Sequence, residues 1–306
     1  MICIGLFTLR HLQEDKSIDK SSTVFIKKTE KGFQLIRNGK PFYIKGASGD
    51  SRFKELADIG GNTLRLYDTI NLQSNLDEAA KYGLAVIVDI PIPEYNRQNY
   101  LNEVDNKVLI EKIKVLVTKY KNHTALLIWN LGNELNYPKV HWKDFIREDL
   151  GKKRFVRTLN EIIDFMHNED KNHPVSTTVW NSEIQQLASL KIFSSGIDLI
   201  AFNIFGDTKN INKKINQISF LFGASPYYIS EFGSDGWWNL ESKNTAWEAA
   251  IEQTSTKKAE QINTRYNLII NNNSNCLGSL LFFGEINMNV LIPGTVYLRM
   301  NTNRKY

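Results

Sequence analysis

Between Phe42 and Phe283 the sequence repeats one unit, a short apolar run followed by an amphipathic helical stripe, and this repetition leaves few folds open. The runs are Phe42 to Lys45, Thr63 to Tyr67, Leu84 to Ile90, Leu126 to Trp129, Val175 to Val179, Ile197 to Ile204, Tyr227 to Ser230 and Leu277 to Phe283. The stripes between them recur at helical spacing, as in Leu72, Leu76, Ala79 and Ala80 before Gly83, or Phe155, Leu159, Ile162, Ile163 and Met166. Runs that are apolar throughout suit parallel strands covered on both faces. Eight such units, without a G-x-G-x-x-G or a Walker loop, argue for an α/β chain folded as a closed (β/α)8 TIM barrel rather than a doubly wound nucleotide-binding sheet.

Ahead of the barrel, Thr23 to Gly46 alternates and carries two turn signals, Lys31-Gly32 and Asn38-Gly39. Residues 23–40 are read as a short N-terminal β-hairpin, 41–284 as the barrel, 1–22 as a leader or disordered terminus, and 285–306 as an aberrant tail. Ile2 to Leu9 is mostly apolar, too short to span a membrane but long enough for a signal-peptide core. No basic residue precedes it and no small-x-small site follows, so an extracytoplasmic location, whether periplasmic, surface or secreted, stands as an expectation against a frayed terminus. No other stretch is long and apolar enough for an integral membrane span.

The net charge of +5 comes from dispersed Lys and Arg, which reads as a solvated surface and gives no support to nucleic-acid binding. Cys3 and Cys276 form no metal-like spacing, and the five histidines include no H-x-x-x-H or H-E-x-x-H pair, so no metal site is expected. Oligomeric state has no signature in the sequence.

Chemistry is expected where strands end, because in a β/α barrel catalytic groups project from the loops at the carboxyl ends. The stretch T-A-L-L-I-W-N-L-G-N-E-L-N breaks from its apolar run at Gly132, Asn133 and Glu134. Alone, Glu134 reads more readily as an ordinary polar strand end. A second carboxylate, Glu231, ends strand seven in Y-Y-I-S-E-F-G, and Arg65 ends strand two as a cation able to hold one of the pair ionised. Asn133 can donate to a sugar hydroxyl, and Asn203 in I-A-F-N-I-F-G joins it as a substrate-binding candidate. Trp180, Trp237, Trp238, Tyr95 and Tyr100 follow strands and offer flat faces on which sugar rings stack. Asp68, Asp89 and Asp235 are further acids at this end, with nothing in the sequence to choose among them.

These residues carry a resemblance. W-N-L-G-N-E-L-N paired with S-E-F-G, after N-G-K-P-F-Y-I-K-G and G-G-N-T-L-R-L-Y, resembles the catalytic barrel of glycoside hydrolase family 2 and its clan A relatives, over Gly39 to Gly284. T-A-W-E-A-A-I-E-Q-T-S-T-K-K-A-E is similar to the segment after the nucleophile strand in β-glucanase-like members. The resemblance implies a retaining glycosidase without a cofactor, with Glu134 as general acid/base, Glu231 as nucleophile, Asn133 holding the 2-hydroxyl and Arg65 orienting the nucleophile. It further implies that Glu134 starts protonated and the two carboxyl groups differ in pKa.

Two departures qualify it. Relatives carry a tyrosine near the nucleophile after strand six, whereas this chain has Phe205, so a phenol bond to Glu231 is expected to be missing. Relatives also continue past strand eight with W-G and then T-W-Y-G-L, whereas here the chain reads F-G-E-I-N-M-N-V-L-I-P-G-T-V-Y-L. Back-translating Phe283 to Leu298 with permitted codons and reading from the third base of the first codon gives W-G-N-K-Y-E-R-T-H-T-W-Y-G-L-F. The expectation is a frame slip near Phe283 that leaves the barrel incomplete at its last helix and without a subsite tryptophan. The sequence thus points to a retaining glycoside hydrolase on a β-linked polysaccharide or oligosaccharide, β-1,3-glucan first. A transglycosylase, a carbohydrate-binding pseudoenzyme and an inactive truncated product are the alternatives.

Overall fold

The computed structural model describes residues 24–282, apart from 97–98, 140–148, 181–183, 207–209, 236–244, 246, 249–250, 252 and 271–273. The segments expected to be a leader, an aberrant tail and the last helix lie outside the described residues. Three strands, β1 (Val24–Thr29), β2 (Gly32–Arg37) and β3 (Lys40–Phe42), form an antiparallel sheet. Eight more close a barrel: β4 (Ile44–Ser48), β5 (Thr63–Leu66), β6 (Ala85–Ile90), β7 (Leu126–Leu131), β8 (Val175–Trp180), β9 (Leu199–Asn203), β10 (Tyr227–Phe232) and β11 (Cys276–Phe282). The helices α1 (Phe53–Asp58), α2 (Leu72–Lys81), α3 (Glu103–Tyr120), α4 (Leu150–Glu169), α5 (Ile184–Phe193), α6 (Ile211–Phe222) and α7 (Ser255–Ile270) connect successive barrel strands. Among the described residues, no helix is long and apolar enough to cross a membrane.

Burial explains the continuous apolar runs. Every residue of β6 and β7 is buried, because one face meets the helices and the other fills the barrel. On β6, Val86, Val88 and Ile90 join the layer under the helices, while Ala85 and Ile87 join the interior. The barrel closes where β11 pairs with β4, at a seam so tight that a Cβ on Gly278 would stand 2.1 Å from the Ile44 carbonyl oxygen. Gly278 also has φ +135°, so two constraints select glycine there.

The N-terminal segment forms the expected antiparallel hairpin, β1 and β2, and adds a third strand to it. Asn38 and Gly39, both with positive φ, make a tight turn that returns Lys40–Phe42 along β2, giving three strands. Pro41 fits because β3 is an edge strand, where a missing N–H costs no ladder bond. The first barrel strand is consequently Ile44–Ser48 rather than Phe42 to Lys45. This small sheet seals the amino-terminal end of the barrel. Val24 N–H donates to Asn172 O (2.9 Å), Phe33 N–H to Ser274 O (3.1 Å) and Arg37 Nη2 to Thr124 O (3.0 Å), all in turns that lead into barrel strands. Val24, Ile26 and Leu35 complete an apolar cluster with Ile44, Ile87, Ile128, Leu199 and Tyr228.

Candidate active site

At the opposite end the inward positions become polar. Strand alternation carries Thr63 to Arg65 on β5, Ile87 to Asp89 on β6, Ser176 to Thr178 on β8 and Ala201 to Asn203 on β9. β10 departs from this period: its register shifts between Ile229 and Glu231, so Glu231 faces the mouth although Ile229 lies under the helices. After β7 the chain takes left-handed steps at Gly132 (φ 71°) and Glu134 (φ 52°). A glutamate in that region is strained, and such strain concentrates at functional sites.

Arg65 is fully buried and organises the site. Its Nε and Nη2 make a two-pronged ion pair with Asp89 at 3.1 and 2.7 Å. Nη1 donates to Glu231 Oε1 at 2.9 Å, and Nη2 also reaches Asn133 Oδ1 at 2.8 Å and Thr178 Oγ1 at 3.2 Å. Burial alone would lower the guanidinium pKa, but Asp89 and Glu231 more than offset it and hold Arg65 charged. Asn203 ties the halves together: its Nδ2 donates to Glu134 Oε1 at 2.7 Å and to Asn133 Oδ1 at 3.1 Å, while its Oδ1 accepts from Ser230 Oγ at 2.8 Å. Asn130 braces the floor by donating to Asp89 Oδ1 at 2.9 Å and Thr178 Oγ1 at 2.9 Å.

Burial pushes the Glu231 carboxyl up to about 7, although Arg65 and the Tyr67 hydroxyl pull the other way and the nearby Glu134 and Asp89 add to the rise. Glu231 is 5% exposed and Glu134 half-buried, so the two carboxyl groups meet different environments. Burial also raises Asp89 despite its contact with Arg65. Two adjacent carboxylates of different burial, one bound to a guanidinium, can share the work of proton donor and nucleophile.

Of the sequence candidates, Arg65, Asn133, Glu134, Asn203 and Glu231 form one bonded network. Trp180 ends β8 opposite Asn203 and is 54% exposed. Trp237 and Trp238 lie outside the described residues. Tyr100 is not at the rim: it is buried, 4.9 Å from Phe155 ring to ring, and its hydroxyl donates to Pro93 O at 2.6 Å. Tyr95 packs against the same Phe155 at 5.5 Å. The apolar neighbour contributed by α4 draws both rings into the core. Among the three undecided acids, only Asp89 enters the network; Asp235 pairs with Arg265 at 2.6 Å, and Asp68 caps the Ile70 N–H at 2.7 Å. Phe205 stacks edge-on with Phe282 at 5.4 Å and brings no hydroxyl. Sequence reasoning missed Tyr67, Asn130, Thr178 and Ser230. Counting by twos from Arg65 and Ser176 finds Tyr67 and Thr178, whereas Ser230 is hidden by the register shift.

Comparison with known proteins follows this geometry. The family model described as "Glycosyl hydrolases family 2, TIM barrel domain" matches residues 53–235. A β-glucuronidase of Chlorocebus aethiops is 26% identical over 117 residues, covering 33% of this chain and 18% of the relative. A β-galacturonidase from Eisenbergiella tayi bound to galacturonate superposes with a TM-score of 0.60 at 15% identity, over 85% of this chain and 46% of that one. A Bacteroides uniformis β-glucuronidase superposes at 0.63 with 17% identity, over 84% of this chain and 32% of that one. At these identities the structural likeness speaks for the fold, and this chain spans less than half the length of each of these relatives.

Proposed function

The chain belongs to glycosyl hydrolase family 2, and from that premise we propose that it is a retaining β-glycosidase working by double displacement. The observation that carries the reading is the Arg65 bridge, which holds Glu231 at the end of β10 within one network with Glu134 after β7. Glu134 gives its proton to the glycosidic oxygen while Glu231 attacks the anomeric carbon, which releases the leaving sugar and forms a glycosyl ester on Glu231. Glu134, now ionised, takes a proton from water, and the hydroxide so formed displaces Glu231 with net retention. Such a mechanism places the carboxyl groups about 5 to 5.5 Å apart. Asn203 and Asn133 offer amide groups at the same mouth, with Trp180 as a stacking face.

Substrate choice is the finer part of the proposal. The segment after β10 favours a β-1,3-glucan, and the names of the relatives favour a β-linked hexuronide. Each predicts a different product from the same two glutamates. A transglycosylase would differ in the acceptor that reaches the glycosyl ester, and a pseudoenzyme would bind the sugar and leave it intact.

The test is incubation of the purified chain with β-linked gluco-, galacto-, manno- and hexurono-oligosaccharides, with products resolved by mass and anomer, beside Glu231→Gln. Turnover with a β-anomeric product, lost in the variant, is the expected result. An α-anomeric first product, or equal turnover in the variant, would overturn it. Binding without turnover by a folded wild type would select the pseudoenzyme.

A further inference from the structure

Glu231 is faced by four titratable groups: Arg65 on β5, Asp89 on β6, Glu134 after β7 and Tyr67 after β5. The two carboxylates oppose its ionisation and the other two favour it. Arg65 is already divided among Asp89, Asn133, Thr178 and Glu231, so its charge is shared. Tyr67 is not. Its hydroxyl oxygen is buried against Glu231 and Ser48, near enough to favour the Glu231 carboxylate but without a hydrogen bond of full geometry, while the Arg65 guanidinium lies over its ring at 4.8 Å. A buried phenol whose hydrogen bond is incomplete is costly unless a later state of the molecule completes it.

We infer that Tyr67 is a positioning residue for Glu231: its phenol donates to the carboxylate when that group ionises and fixes the oxygen not held by Arg65. Burial drives the Tyr67 phenol far above its ordinary pKa, so it remains a donor throughout the working range. The phenol that Phe205 lacks would thus reach Glu231 from β5 instead. The contact stands on the geometry; its kinetic meaning rests on the reading of Glu231 as nucleophile.

The experiment is a carbon-13 NMR titration of glutamate-labelled full-length chain, with Glu231→Gln identifying the signal. Tyr67→Phe keeps the ring and removes the donor, so the Glu231 midpoint should rise by about one pH unit, the equivalent of one charge-assisted hydrogen bond. Difluorotyrosine incorporated at position 67, a stronger donor of nearly the same size, should move it down. Unchanged midpoints in both proteins overturn the inference; if Tyr67→Phe fails to fold, the fluorinated protein alone decides. The acidic limb of kcat/KM should move with the midpoint. A midpoint that moves in a protein that turns over no glycoside supports the contact and overturns the glycosidase reading instead.

Discussion

The two ends of the barrel are built from the same strands and do opposite things. At the amino-terminal end, Ile44, Ile87, Ile128 and Leu199 meet Val24, Ile26 and Leu35 of the small sheet, and the cluster is apolar almost throughout. Toward the carboxyl ends of the barrel strands stand Arg65 on β5, Asp89 on β6, Thr178 on β8, Asn203 on β9 and Glu231 on β10, all buried but charged or polar. Apolar burial stabilises by roughly 25 cal/mol per Å², whereas a buried ion is favourable only if each partner is in place. One end therefore holds the fold, and the other is held by it.

Removing the hub should show the largest effect. Arg65→Gln leaves Asp89 and Glu231 as uncompensated buried carboxylates, and a loss of about 4 kcal/mol in chemical unfolding is expected. Arg65→Lys keeps the charge but not the fork, and should recover only part of it. A loss under about 1 kcal/mol in the Gln variant would mean that the mouth does not depend on this guanidinium. The plug should behave differently. Leu35→Ala opens a cavity in a fully buried cluster, for about 3 kcal/mol, yet glycoside turnover per folded molecule should stay as in the wild type. Activity that falls along with stability would erase the division between the two ends.

A substitution at a third site should invert the usual sign. The folded protein keeps the Glu231 proton up to about pH 7, whereas the unfolded chain releases it near the ordinary glutamate value of 4.5. Stability contributed by the protonated form is therefore present below about 4.5, declines through that window and is lost above about 7. Glu231→Gln removes the decline, so the variant should match the wild type at pH 4 and exceed it by about 2 kcal/mol at pH 8. A variant less stable than the wild type at pH 8 would show that Arg65 binds the carboxylate more strongly than desolvation opposes it.

Much of this division was legible in the sequence, for a physical reason. Fully buried strands read as unbroken apolar runs, so β6 and β7 announce themselves, and the polar residue that ends a run marks the mouth. Glu134, Arg65 and Asn203 were found in that way. Position along the chain does not fix direction where the strand is irregular, which is why Ser230 went unseen on β10. It also fails where a loop residue finds a partner from a distant helix, as Tyr100 finds Phe155. The third strand of the plug escaped because three residues ending in Pro41-Phe42 are too short to show alternation.

Trp180 offers the smallest effect and the sharpest distinction within the mouth. It occupies the inward series of β8 after Ser176 and Thr178, but at 54% exposure it has left the packed interior. Its side chain is available for a ligand while contributing little to the fold. Trp180→Ala should leave the unfolding midpoint unchanged within error. Loss of one stacking face, about 1 kcal/mol, should raise KM about fivefold with kcat nearly constant, because a flat apolar surface holds ground state and transition state alike. A fall in kcat at constant KM would instead place the indole against the sugar being cleaved, where its ring flattens in the transition state. A fall in stability would assign Trp180 to the scaffold, and the boundary between the two ends would move outward by one residue on β8.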